Sequence, residues 1–95
     1  MKGRTVMGPG YTTWRIEIGK ALHNRRDAWK NVEAMTLDAQ QLDTVFFRSY
    51  GHAEGGSFTV WTHSRVYFPA VYDGSEWVAS VARNPDGRAT PHVGH

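Results

Sequence analysis

Between Thr12 and Ile18 the chain alternates: Trp14, Ile16 and Ile18 share one parity, Thr13, Arg15 and Glu17 the other. Period two is the mark of a half-buried strand, so the pattern predicts a first strand over 12–18 that Gly19 ends. A polar stretch follows to Asp27, whose carboxylate can cap a helix carrying Ala28, Trp29, Val32 and Met35 on one face. A second strand over 28–35, paired with 12–18 through a long turn, is the competing reading, because Trp29, Val32 and Thr36 also suit β-structure. Asp38 and Gln41 have capping-box spacing and predict a one-turn helix.

From residue 44 onward aromatic and β-branched residues dominate. Strands are predicted over 44–50, 57–63, 66–72 and 75–82. Gly51 with Gly55 and Gly56, then Ser64-Arg65, then Asp73-Gly74 supply the turns. Asp-Gly is the strongest signal, since a two-residue type I′ hairpin needs positive φ at both central positions. Pro69 removes one ladder donor and so places its strand at an edge or a bulge. Asn84-Pro85-Asp86-Gly87 matches a type I turn.

These elements define an α+β fold, a small antiparallel sheet of four to five strands with one packed helix; a small closed β-barrel is the alternative. One domain spans 1–95, with an arm at 1–11 set off by Gly8-Pro9-Gly10, a folded body at 12–84 and a tail at 85–95. A chain of 95 residues should form a body about 12 Å in radius of gyration. Trp14, Trp29, Phe47, Phe58 and Trp77 are the expected core anchors. With Val45, Phe47, Phe58, Val60, Val66, Phe68, Trp77, Ala79 and Val81 turned inward, Arg48, Tyr50, Trp61, His63, Tyr67 and Tyr72 form an outward aromatic and basic face.

Composition narrows the class. Hydrophobic residues make up 40% of the chain, which excludes collagen-like and disordered chains. Cysteine is absent, and with it go disulfides, thiolate catalysis, zinc fingers and iron–sulfur clusters. Lys2 and Arg4 are followed by glycine and proline rather than an apolar run, and no stretch approaches the ~18 apolar residues of a membrane span. The expectation is a soluble, cytoplasmic protein without membrane contact.

Charge is unevenly spread. Residues 1–30 carry seven basic side chains against two acidic ones, a balance of +5; residues 31–82 hold Arg48 and Arg65 against six acids, or −4; the remainder adds +1 to give the net +2. A dipolar molecule follows. Lys20, Arg25, Arg26 and Lys30 form its basic patch.

Catalytic and cofactor motifs fail on inspection. His52-Ala53-Glu54 matches half of a zinc deaminase signature, but the Pro-Cys-x-x-Cys half is missing. Gly19-Lys20 lacks the first glycine and the Ser or Thr of a P-loop, since Trp14 and Ala21 stand there. Gly8-x-Gly10-x-x-Thr13 lacks a third glycine and precedes a strand. His23, His52, His63, His92 and His95 are scattered without metal-ligand spacing. Ser64, His63 and Asp73 make a triad only on paper, as neighbours in a strand point to opposite faces. No catalytic residue, metal site or cofactor is assigned.

Arg48, Tyr50, Trp61, His63 and Tyr67 remain as the candidate partner-binding set, because Trp, Tyr and Arg are the residue types enriched where proteins dock. The leading expectation is a non-enzymatic binding protein that docks on a larger protein partner and modulates or inhibits it. Accessory and phage-encoded inhibitors share this size and lack of catalytic signature. A nucleic-acid-binding module using the basic patch and the aromatic face is the alternative, and a subunit of a homo-oligomeric or structural assembly is the third reading.

Overall fold

A computed structural model describes residues 8–47, 56–72 and 75–93. The residues read as a first strand fold instead as a helix. Strand β1 (Tyr11–Thr12) stops at Thr13, and α1 runs over Trp14–Asn24. Thr13 is extended at φ −133 and ψ 160, and its hydroxyl accepts from the Ile16 amide at 3.2 Å, so it is the N-cap. Trp14, Ile18 and Leu22 recur every fourth position and form a single buried stripe. The helix closes with paired bonds: the Arg26 amide donates to the His23 carbonyl at 3.0 Å and the Asp27 amide to the Leu22 carbonyl at 2.8 Å. This Schellman geometry sets Arg26 at φ 56, in the left-handed region glycine usually fills.

The helix predicted over 28–35 is likewise replaced. A single 3₁₀ turn spans Trp29–Asn31, and β2 (Val32–Met35) follows it. The competing strand reading was right about type and wrong about partner, since β2 pairs with β4 (Val60–Thr62). The one-turn helix α2 (Ala39–Leu42) carries the expected capping box, with Asp38 accepting from the Gln41 amide at 2.8 Å and Gln41 from the Asp38 amide at 2.9 Å. Strand β3 (Phe46–Phe47) pairs with β1 in a two-stranded sheet. Tyr11 thus belongs to the fold rather than to an arm. At Gly10, φ is +84 and an added Cβ would stand 2.6 Å from the Phe47 ring, so the turn into β1 needs glycine.

Strands β5 (Arg65–Tyr72) and β6 (Ser75–Ala82) complete a four-stranded antiparallel sheet in the order β2-β4-β5-β6. The fold is therefore α+β with two α-helices and two open sheets, and the described strands close no barrel. Strand β5 is interior in that order, although Pro69 placed it at an edge or a bulge. Its ladder with β4 nevertheless covers only Val66 and Tyr67, so Pro69 lies beyond it and pairs only with Val78 of β6. The Asp73-Gly74 turn and the glycines of 51–55 lie outside the described residues.

The buried cluster joins α1 and α2 to one face of the larger sheet, through Trp14, Ile18, Leu22, Leu42, Phe46, Phe58, Val60 and Tyr67. Trp14 is its hinge, with ring centroids 4.7 Å from both Phe46 and Phe58 and its indole N–H donating to the Gly56 carbonyl. Of the five expected anchors, Trp14 and Phe58 are core. Trp29 is exposed, Phe47 is half-buried against Tyr11 and Trp77 is half-buried on the sheet's far side; Val45, also expected inside, is exposed. The chain measures 47 × 33 × 20 Å with a radius of gyration of 14.1 Å, above the expected value. Its least dimension is that of two packed layers about 10 Å apart.

Candidate functional site

Antiparallel partners share a sheet face, so the register sorts every strand residue. Val60 pairs with Tyr67, and Tyr67 with Ser80, on the face under α1. Tyr67 is fully buried there, which overturns its place among the outward partner-binding residues. Its hydroxyl donates to Asp27 Oδ2 at 2.9 Å, and the Thr62 hydroxyl donates to the same oxygen at 2.7 Å. Asp27 Oδ1 accepts from the Ala28 amide and from Asn31 Nδ2, both at 3.0 Å. Burial pushes the Asp27 pKa up, but these bonds to the ionised form outweigh it and leave it below its ordinary value. Burial first, then Asp27, raises the Tyr67 pKa well above 10. This is a structural hub that locks the end of α1 to β4 and β5.

The opposite face is different. Trp61 pairs with Ala34 on one side and Val66 on the other; Val66 pairs with Val81, Phe68 with Ala79, and Ala70 with Trp77. All eight side chains are apolar, and only Ala79 is buried. None of them joins the buried cluster. Charge appears only at the rim, where Arg83 Nη1 donates to Glu33 and to the Thr62 carbonyl and His63 Nδ1 lies 3.6 Å from Glu33. Along β6 lies a groove lined by both parities of that strand, by Ala21, Asn24 and Arg25 at α1 and its end, and by Thr90–Val93.

Of the candidate partner-binding set, Trp61 lies on this open face and His63 at its rim, while Arg48 and Tyr50 lie outside the described residues. Val66, Phe68, Trp77 and Val81, expected inside, are the face's main members. The available signal was that β5 is largely apolar on both parities. The basic patch also rearranges. Lys20 lies 3.7 Å from Glu17 on α1, Arg26 is spent on the helix end, and Lys30 is exposed on the 3₁₀ turn. Arg25 instead meets Arg65 and Arg88, two residues the sequence reading did not single out, around a small cavity.

Among the described residues no cluster of three or more His, Cys, Asp or Glu could hold a metal ion, and no helix is long and apolar enough to cross a membrane. His52-Ala53-Glu54 lies outside the described residues. The fold and face define a class, a small α+β domain with one apolar sheet face that no described helix covers. Comparison with family models, with curated proteins and with solved structures finds no match for the chain.

Proposed function

We propose that this chain is a non-enzymatic interaction module that docks on a larger protein partner through the outer face of the sheet and so modulates or inhibits it. One observation carries the reading: the outer faces of β4, β5 and β6 present Trp61, Val66, Phe68, Ala70, Trp77 and Val81, all half-buried, with no described helix over them. An apolar sheet face normally ends up against another layer, and burying one such side chain fully is worth about 1.5–3 kcal/mol. A continuous patch of this kind with a charged rim has the anatomy of a docking surface. Trp61 sits in the row of this face beside the charged rim and is the anchor; Trp61→Ala should weaken partner binding by ~2 kcal/mol or more while shifting the melting temperature little.

Photo-crosslinking in the native cell tests the reading. A photoreactive phenylalanine analogue is placed at Phe68 and, as control, at Ile16 on the exposed side of α1. Adducts to a protein of different mass at 68 and not at 16 support it. Equal adducts at both positions, or none at 68, contradict it, and an adduct only to a second copy of the chain at 68 replaces it with self-assembly.

A further inference from the structure

Where the end of α1, the start of β5 and the C-terminal segment meet, three arginines surround one cavity of about 130 Å³: Arg25, Arg65 and Arg88, over the Ser80 and Ala82 positions of β6. We infer that this cavity is a binding site for a phosphoryl group, either free phosphate or the terminal phosphate of a small ester. The inference is independent of the docking face.

Arg65 is the fixed member. Its Nε donates to Ser80 Oγ at 2.8 Å and its Nη2 to the Ser80 carbonyl at 3.2 Å, which hold the guanidinium plane and leave Nη1 without a protein partner. The Arg25 and Arg88 guanidiniums have neither a hydrogen bond nor an ion pair to any described residue. Both Arg65 and Arg25 also pull the Tyr67 pKa back down, against burial and Asp27. The single acid lining it is Asp86, and its carboxylate is engaged by the Arg88 amide at 2.9 Å. Three guanidiniums against one carboxylate leave a local charge of +2, in a polar cavity with one guanidinium held in place. Guanidinium N–H groups match the oxygen spacing of phosphate, and charge-assisted bonds of this kind are roughly twice as strong as neutral ones. A surface hollow of about 130 Å³ fits a terminal phosphoryl group, whereas a nucleic-acid strand needs a longer groove that tracks its backbone.

The test is an NMR titration of the ¹⁵N-labelled chain with inorganic phosphate at constant ionic strength, chloride making up the balance, and a second arm with phosphoserine. Saturable shifts at Arg65, Ser80, Ala82 and Arg88 are expected with phosphate. The double variant Arg25→Gln, Arg88→Gln should bind at least tenfold more weakly, and Arg15→Gln, whose guanidinium is held by Asp43 elsewhere on the surface, should bind as wild type. Binding in both arms assigns the cavity to phosphate esters as well as the ion, and binding of phosphate alone restricts it to the ion. Shifts that never saturate, or that survive the double variant, overturn the site. So does salt-sensitive binding of an oligonucleotide with no response to phosphate, which would mean a diffuse basic surface.

Discussion

Asp27 is the residue on which the most separate parts of the chain depend. It sits three positions past the end of α1, yet its carboxylate accepts from Thr62 and Tyr67, 35 and 40 positions further along. The sequence marks it as a helix cap, and its bond from the Ala28 amide is a local remnant of that role. The long-range part was not legible, because one aspartate before an apolar stretch looks the same whether its second oxygen meets water or a buried phenol. Asp27→Ala strands the Tyr67 hydroxyl in the core, leaves Thr62 only its bonds with the Arg65 backbone, and should cost about 2 kcal/mol in urea unfolding, whereas Tyr67→Phe, which removes a donor and leaves three, should cost about 1. The pH dependence has two limbs. Since the folded-state pKa of Asp27 is lowered from 3.8, its contribution is present above that value and lost as pH falls through the folded-state value. Since the pKa of Tyr67 is raised from 10.0, its contribution is full below pH 10 and lost as pH rises beyond it. Urea midpoints across pH should show both limbs in the wild type; in Tyr67→Phe the alkaline limb should shrink.

At the scale of elements, the contrast lies between α2 and α1. Asp38 and Gln41 announce α2 because a capping box is a local device, complete within four residues. For α1 two periods compete: Trp14, Ile16 and Ile18 alternate, while Trp14, Ile18 and Leu22 recur at helical spacing. Thr13 decides between them as N-cap, and Gly19 does not stop the helix it sits in. A Cβ at Gly19 would meet only Trp29 Nε1, at an ordinary 3.6 Å. Gly19→Ala should therefore stabilise the protein by about 0.5–1 kcal/mol, because alanine loses less backbone entropy in a helix. Arg26→Gly should act in the same direction and by about 1 kcal/mol, relieving the left-handed residue of the Schellman turn. Thermal melts of the two single variants and the pair check this; destabilisation by Gly19→Ala would mean the helix is not continuous through residue 19. Strand β6, by contrast, was legible to its end residues, since it is long, alternates around Trp77, Ala79 and Val81 and is bounded in sequence by Asp73-Gly74 and Asn84-Pro85.

For the whole molecule, the α+β class and the antiparallel order of the last three strands follow from patterning, but the assignment of faces does not. Both parities of β5 are apolar, Val66 and Phe68 on one and Tyr67, Pro69 and Val71 on the other. Alternation then cannot say which is the core; the side on which α1 lies decides it, and α1 was itself read as a strand. The outcome is a two-layer body with Tyr67 inside and Phe68 on the open face. Adjacent residues of one strand thus have opposite roles. The most direct measurement compares Tyr67→Ala with Phe68→Ala in urea unfolding of the isolated chain. The structure predicts a loss of about 3–5 kcal/mol for Tyr67→Ala, a buried aromatic removed from a packed core, and about 1 kcal/mol for Phe68→Ala, half-buried on the face that no described helix covers. Equal losses, or a larger loss for Phe68→Ala, would mean that the outer face is already covered in the monomer and has no surface left for a partner.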